Sequence, residues 1–256
     1  MSNVLALVNQ KGGVGKTTTC VNLAAFLARK GKKVLLIDID PQGNATSGLG
    51  FDKNELENTV YDVLINETDF TEVIIDTGRK NLHLAPANIQ LAGAEIELVN
   101  VVSRETRLRK SLNEIKNDFD FVLMDCPPSL GLLTLNALTA ADGVLVPIQG
   151  EYYALEGVTQ LMETINLVKK SLNPKLSIFG VIVTMFDSRT QLAHQVANEV
   201  RKYFGNKVFR TIIPRNVRLS EAPSYGKSIL EYDIKSKGAE CYDSLAKEVI
   251  KRNSSI

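Results

Sequence analysis

The chain has 256 residues, 30 Lys/Arg against 29 Asp/Glu, and 44% of its residues are hydrophobic. This length and apolar content suffice to bury a substantial core, so they exclude a disordered chain. Cys20, Cys126 and Cys241 are widely spaced and form no CxxC pair, which argues against a disulfide framework or a zinc site and favours a reducing cytoplasm. We expect neither a signal peptide nor a membrane-spanning helix.

Charge is distributed unevenly along the chain. Residues 1–188 carry 17 Lys/Arg and 22 Asp/Glu, whereas residues 189–256 carry 13 and 7. The last quarter is therefore basic. This pattern fits either ordinary solvated helix faces or a surface that attracts a polyanion.

Short apolar runs alternate with helix-length segments. The first strand at residues 4–8, a helix at 17–29 and a strand at 34–37 form a βαβ unit. Further strands are predicted at residues 73–75, 82–85, 121–124, 143–148, 178–184 and 208–213. Strands that are apolar throughout indicate a mostly parallel twisted sheet with helices on both faces. No repeat or linker divides the chain, so we predict one α/β domain over residues 1–256.

The strongest motif directly follows the first strand. Residues 11–18 read Lys-Gly-Gly-Val-Gly-Lys-Thr-Thr between a strand and a helix, the context that a phosphate-binding loop requires. Glycines let backbone N–H groups point inward at the positive end of the following helix. Lys16 would place its charge on the β and γ phosphates, and the Thr17 hydroxyl can complete an octahedral Mg²⁺ shell. Nucleotide binding is therefore assigned to Lys11, Gly12, Gly13, Val14, Gly15, Lys16, Thr17 and Thr18.

Carboxylates follow two other apolar runs. Asp38 and Asp40 come after the second strand, and Asp125 ends the run at residues 121–124. Because strand ends of an open parallel sheet face the ligand crevice, these side chains should emerge near the phosphates. One of the first two can orient water, although Asp38 also fits a structural turn. Asp125 fits the acid that holds a metal-bound water, and Cys126 is interpreted as a packing residue and not a nucleophile.

These motifs resemble the deviant Walker A ATPases of the ParA/MinD family, and particularly the ParA/Soj partitioning ATPases. The usual phosphate loop would need glycine at Gln10, and Lys11 matches the additional lysine of the deviant motif. Residues 38–44 resemble switch I of the family, and residues 125–131 resemble switch II. Residues 214–224 resemble the Soj sequence after the corresponding strand. The resemblance extends over nearly the whole chain and implies a P-loop NTPase fold.

The resemblance also implies roles for individual residues. ATP and Mg²⁺ would bind in a homodimer, with Lys11 reaching the nucleotide of the other subunit. Catalysis would involve Lys11, Lys16 and Asp40, of which Asp40 positions or activates the attacking water. Mg²⁺ would be held by Thr17 and, through water, by Asp125.

The C-terminal part would supply base recognition and a working surface. By resemblance, Pro214 and Asn216 contact the adenine, and Met185 lies nearby. Residues 189–252 would carry a surface that binds double-stranded DNA without sequence preference. The cations expected there are Arg189, Arg218, Arg201, Lys202 and Lys227. The family further implies stimulation by a ParB/Spo0J-type centromere-binding partner and a cytoplasmic, nucleoid-associated location, with no membrane attachment. No helix-turn-helix precedes the phosphate loop, so operator binding is not expected.

Two alternatives remain open at this point. A MinD-like membrane ATPase would share every nucleotide motif and attach through a C-terminal amphipathic helix. A metabolic P-loop ligase or an iron protein would need a substrate pocket or cluster ligands. His83 and His194 are isolated and are interpreted as satisfied locally. A stripe at helical spacing near the C-terminus fits either a membrane helix or one docked on the core: Tyr242, Leu245, Ala246, Val249 and Ile250.

Overall fold

The computed structural model of the chain describes residues 3–150 and 154–254, with only the backbone described for residues 154–157. Over this part of the chain, seven strands form one central sheet. They are β1 Asn3–Leu7, β2 Val34–Asp38, β3 Ile75–Asp76, β4 Leu82–Ala85, β5 Phe121–Asp125, β6 Gly143–Gln149 and β7 Ser177–Thr184. Their order is β3-β4-β2-β5-β1-β6-β7, and all neighbours are parallel except β3 and β4. The predicted mostly parallel sheet is confirmed.

Helices cover both faces of the sheet, as predicted. Those found in the described residues are α1 Lys16–Arg29, α2 Asn44–Gly48, α3 Val60–Ile65, α4 Phe70–Val73, α5 Leu91–Glu97, α6 Arg107–Ile115, α7 Leu132–Ala140, α8 Ala154–Ser171, α9 Gln191–Phe204, α10 Val217–Glu221, α11 Ile229–Tyr232 and α12 Lys237–Asn253. On one face α1 packs against α12, and on the other α6 contacts α3 and α7.

The strand β1 shows why the strands are apolar throughout. Successive side chains of a strand point to opposite faces of the sheet. Val4 and Ala6 belong to the core on one face, whereas Leu5 and Leu7 belong to the core on the other. Because both cores exclude water, each position of the strand favours an apolar residue.

The predicted strand at residues 73–75 is wrong. Residues 70–73 form α4, and the short strand β3 begins only at Ile75. Asp69 accepts a hydrogen bond from the Thr71 N–H at 2.8 Å and so caps a helical turn. This local cap outweighs the strand preference of the β-branched residues.

The predicted strand at residues 208–213 is also wrong. Its two ends donate backbone hydrogen bonds to carbonyls of β7, but no continuous ladder forms. Between them, the N–H groups of Arg210 and Thr211 donate to the Glu248 carboxylate of α12, at 2.9 and 2.8 Å. The side chain of a distant helix thereby takes the donors that a strand would have used.

Arg252 of α12 fixes the start of this segment against β7. Its guanidinium donates to the carbonyls of Phe179 at 2.8 Å, Lys207 at 2.9 Å and Asn206 at 3.1 Å. It also lies 4.1 Å from the ring centroid of Phe209. The outer edge of β7 is therefore covered and does not lie open.

Candidate nucleotide site

Polar side chains at strand ends hold the phosphate loop in place. Asn9 follows β1; its amide donates to the Pro147 carbonyl at 2.7 Å, and its oxygen accepts from the Lys11 N–H at 3.0 Å. Thr184 ends β7, and its hydroxyl donates to the Val14 carbonyl at 2.8 Å. Sequence reasoning missed Asn9 and Thr184, because a single polar residue beside an apolar strand was the only signal.

The loop leads into α1 without a side-chain cap. Gly15 is the N-cap residue and adopts φ 84°, a left-handed conformation that glycine takes most readily, and Gly13 does so at φ 71°. Because Gly15 has no side chain, it cannot accept hydrogen bonds from the first N–H groups of α1. These donors and the positive end of the helix dipole can therefore bind an anion placed in the loop.

Lys16, at the start of α1, is 7% exposed. Its ammonium donates to the Lys11 carbonyl at 3.3 Å. Burial lowers the pKa of this amine, and the neighbouring Asp125 and Asp40 carboxylates oppose that effect. Lys16 is thus a buried amine beside the phosphate loop, and the nearby carboxyl groups favour its charged form, the form that binds phosphate.

Asp38 and Asp40 have different environments. Asp38 is fully buried, and its carboxylate accepts from the Thr46 N–H at 2.8 Å, the Thr46 hydroxyl at 2.7 Å and the Asp40 N–H at 3.2 Å. It therefore organises the loop between β2 and α2. Asp40 is 7% exposed and accepts from the Gln42 N–H at 2.9 Å, which leaves carboxylate capacity for water. Of the two carboxylates, Asp40 is the better candidate for orienting water.

Asp125 ends β5 and is fully buried. Desolvation raises the pKa of this carboxyl well above its ordinary value, and the charge of Asp38 adds to the rise. The nearby Thr17 hydroxyl offsets part of the rise, yet neither carboxylate oxygen has a partner at hydrogen-bonding geometry among the described residues. A buried carboxylate without partners fits a site completed by a hydrated cation.

The described residues contain no group of three or more His, Cys, Asp or Glu that could hold a metal alone. A Mg²⁺ ion at Thr17 and Asp125 would therefore take most of its ligands from water and phosphate. This donor set suits Mg²⁺, which dehydrates reluctantly and usually retains several waters.

The sheet order brings the three predicted motifs together. β5 lies between β2 and β1, and Asp125 is paired in register with both Asp38 and Leu7. The phosphate loop, the Asp38–Asp40 carboxylates and Asp125 thus emerge at one edge of three adjacent parallel strands. This is where ligands bind in open α/β sheets.

A cavity lies beside the phosphate loop. It has a volume of about 190 Å³ and is lined by Gly15, Met185, Pro214, Asn216 and Tyr242, among others. The side-chain oxygen of Asn216 accepts a hydrogen bond from the Arg218 N–H at 2.8 Å. The NH₂ group of the same side chain can therefore donate to a ligand in the cavity. The predicted base-contacting residues therefore share one pocket that adjoins the start of α1.

The predicted DNA-facing arginines are exposed and ion-paired. The Arg189 side chain is 85% exposed and contacts Asp187 at 2.7 Å, and that of Arg218 is 56% exposed and contacts Glu221 at 3.0 Å. Their segments are joined, since Phe186 exchanges backbone hydrogen bonds with the strand-like segment before α10. The other three predicted cations are exposed as well: Arg201, Lys202 and Lys227.

Other polar candidates have local explanations. His194 Nε2 lies 3.0 Å from the Ser188 carbonyl, as expected for a locally satisfied ring. His83 packs edge-on against Phe119, but its buried Nδ1 lacks a hydrogen-bond partner in the described structure, so this expectation holds only for His194. Cys126 is fully buried, and burial raises the pKa of its thiol well above its ordinary value, which fits a packing role.

Comparison with known proteins agrees with this geometry. A family model described as an AAA domain matches residues 2–178. The sporulation initiation inhibitor protein Soj of Bacillus subtilis is 60% identical over 249 residues, which cover 97% of this chain and 98% of that protein. The chain belongs to the ParA/Soj family.

Other ParA/Soj relatives and structures extend the comparison. The chromosome partitioning protein ParA of Myxococcus xanthus is 54% identical, with 99% of this chain and 90% of that protein covered. The crystal structure of cobyrinic acid a,c-diamide synthase from Mycobacterium smegmatis, with bound ADP and magnesium, is 40% identical with a TM-score of 0.88 and covers 100% of this chain and 96% of that one. The predicted fold class is confirmed, and the chain is an ATPase of the ParA/Soj type.

Proposed function

We propose that this protein is a partitioning ATPase that segregates a chromosome or a plasmid. Its ATP-bound homodimer binds double-stranded DNA without sequence preference, and hydrolysis releases it. A ParB/Spo0J-type centromere-binding partner stimulates the hydrolysis. The main support is that Lys16, at the start of α1, lies near Asp40 and Asp125, which come from the ends of the adjacent strands β2 and β5, in a chain that is 60% identical to Soj.

Each site residue has a role in this proposal. Lys16 binds the β and γ phosphates, and Lys11 neutralises phosphate charge on the nucleotide of the second subunit. Asp40 positions the attacking water. Thr17, and Asp125 through water, hold Mg²⁺, which when bound spreads the charge that develops on the phosphates. The remaining loop residues supply backbone donors: Gly12, Gly13, Val14, Gly15 and Thr18.

The C-terminal part recognises the base and the DNA. Pro214 packs on the adenine and Asn216 donates to it, because both line the pocket beside the phosphate loop. Phosphate contacts from residues 189–252, doubled by dimerisation, link DNA affinity to the nucleotide state. The protein is accordingly cytoplasmic and nucleoid-associated.

The proposal is tested by binding to nonspecific duplex DNA with ATP, with ADP and without nucleotide, at roughly 50 and 200 mM salt. The test variant is Arg189→Ala/Arg218→Ala. The matched control is Arg107→Ala/Lys110→Ala, which removes two cations from α6, a helix packed against α3, α4 and α7. ATP-dependent binding that weakens with salt and is lost only in the test variant supports the proposal. Absence of DNA binding in every nucleotide state would contradict it.

One comparison favours a second candidate. The chain is 40% identical to a protein described as cobyrinic acid a,c-diamide synthase. The second candidate function is therefore an ATP-dependent amidation. Phosphate release that requires cobyrinic acid and an amide donor, and not DNA, would favour this function.

The membrane alternative loses its structural basis. The described chain contains no helix able to cross a bilayer. Tyr242, Leu245, Ala246 and Val249 of α12 are buried in the core, with Ile250 packed against it. The apolar stripe is thus already covered by the protein, and we propose no membrane attachment.

A further inference from the structure

The helix α7 receives its N-terminal cap from another helix. Its N-cap residue is Gly131, which has no side chain to accept from the first N–H groups. The Glu95 carboxylate of α5 instead accepts from the Leu132 N–H at 2.9 Å and from the Leu133 N–H at 3.3 Å. A negative charge is thereby placed at the positive end of α7.

The close approach of Glu95 explains the glycine at this position. Gly131 has φ −81° and ψ −166°, an extended conformation that any residue can adopt. A Cβ added there would lie 2.5 Å from the nearer Glu95 oxygen. A side chain at this position would therefore displace the Glu95 carboxylate from the start of α7, whereas glycine leaves room for it.

This contact fixes one end of the switch II loop, defined here as residues 126–131. The other end continues from Asp125 on β5. The Thr134 hydroxyl of α7 donates to the Ser129 carbonyl at 2.6 Å and ties the middle of the loop to the same helix. The loop thus depends on where α7 begins, and Glu95 sets that position relative to α5.

Glu95 also lies near switch I. A surface cavity of about 310 Å³ is lined by Pro41 beside Asp40, by Pro127 and Ser129 of the switch II loop, and by Glu95. The two segments that flank the proposed catalytic carboxylates therefore border one cavity, and Glu95 lines it as well.

We propose that Glu95 is a positioning residue for ATP hydrolysis, which holds the switch II loop in register with switch I by tying α7 to α5. This inference rests on the proposed ATPase function. Glu95 does not touch the phosphate loop, so nucleotide affinity is independent of it, whereas the rate of hydrolysis depends on it.

Glu95 both caps the N-terminus of α7 and connects α7 to α5, and these two contributions can be separated experimentally. Glu95→Ala removes both. In Glu95→Ala/Gly131→Ser the clash is gone, and the serine hydroxyl can cap α7 from within the loop, since Ser is a favoured N-cap residue in extended conformation. That variant regains the cap but lacks the tie to α5. The control is Glu97→Ala, which removes a neighbouring carboxylate that accepts from the Tyr61 hydroxyl instead.

Steady-state ATP hydrolysis, which gives kcat and KM for ATP, and Tm are measured for these proteins and for Glu95→Gln. We expect kcat of Glu95→Ala to fall about 10-fold, because small misplacements of reacting groups have large effects, with KM changed less than about twofold. The Gln variant, which keeps one acceptor oxygen, recovers part of the rate and remains informative if the Ala variant does not fold. The double variant should recover Tm but not kcat, and Glu97→Ala should resemble the wild type.

Recovery of kcat together with Tm in the double variant would reduce Glu95 to a helix cap and overturn the inference. A wild-type rate in Glu95→Ala would also overturn it. A wild-type protein that hydrolyses no ATP in any condition would instead refute the proposed function itself.

Discussion

At the scale of single residues, the buried carboxylates at the ends of β2 and β5 are the least ordinary feature. Asp38 and Asp125 are both fully buried and are paired in register. The charge of Asp38 is offset by three hydrogen bonds, whereas Asp125 has none in the described structure. The first carboxylate therefore stabilises a loop, and the second is left for a ligand.

Burial of Asp38 makes stability depend on pH in a direction unusual for an aspartate. Burial raises its pKa to about 6, whereas the unfolded chain has about 3.9. Between these values the folded chain binds more protons, so its free energy of unfolding falls as pH rises from about 4 to about 6, by up to about 3 kcal/mol. Urea unfolding of the metal-free, nucleotide-free protein at several pH values measures this.

The control is Asp38→Asn, whose unfolding free energy should lack this contribution. The difference between wild type and variant reports Asp38 together with its effect on the pKa of Asp125, and it removes the contribution of carboxylates whose pKa is lowered. A difference that stays constant from pH 4 to pH 7 would contradict the assignment.

Asp40→Ala should separate binding from hydrolysis. We expect ATP affinity to remain within about threefold of wild type, and turnover to fall at least about 100-fold, because a water-positioning carboxylate contributes on this scale. Nucleotide binding is followed by fluorescence titration and turnover by phosphate release. Lys16→Ala is the comparison variant and should lose nucleotide binding itself. Wild-type turnover in Asp40→Ala would remove Asp40 from the mechanism.

At the scale of elements, the packing of α12 fixes the segment that leads to the base pocket. Arg252→Ala should lower the free energy of unfolding by about 2–3 kcal/mol, since it removes hydrogen bonds to three carbonyls and a ring contact. Arg252→Lys should recover little, because an ammonium lacks the planar fork of donors. Chemical unfolding measures both variants.

The same helix offers a matched control. Lys247→Ala removes an exposed ion pair with Asp243, in which the lysine side chain is 67% exposed. Such pairs contribute roughly 0–1 kcal/mol. Equal losses in Arg252→Ala and Lys247→Ala would show that the Arg252 contacts contribute nothing beyond surface charge.

At the scale of the whole molecule, Gly12 tests the proposed dimer. It is exposed, and a Cβ added there would meet nothing within 4 Å in the single chain. Gly12→Val should therefore fold with wild-type Tm and bind ATP, but fail to form the ATP-dependent dimer, because the side chain obstructs a second subunit. Light scattering with and without ATP measures this. A normal dimer from Gly12→Val would contradict the two-subunit arrangement.

The sequence predicted those parts of the fold and site that depend on local patterns. Strands buried on both faces are apolar at every position. The phosphate loop is a continuous sequence motif that lies between a strand and a helix. The run at residues 208–213 could not be excluded as a strand, because the residue that takes its N–H groups, Glu248, is remote in sequence. Asn9 and Glu95 were missed for a similar reason, since each acts through a contact that no spacing reveals.

The way the sheet ends has a consequence for assembly. β3 has only two residues, and the outer edge of β7 is occupied by residues 208–213, held by Arg252. Sheets join or grow into fibrils by adding strands to long open edges. Neither edge of this sheet offers such a template, so the proposed dimer must form without pairing of strands. If its contacts come from side chains and bound nucleotide, as proposed above, it should come apart when the nucleotide is removed.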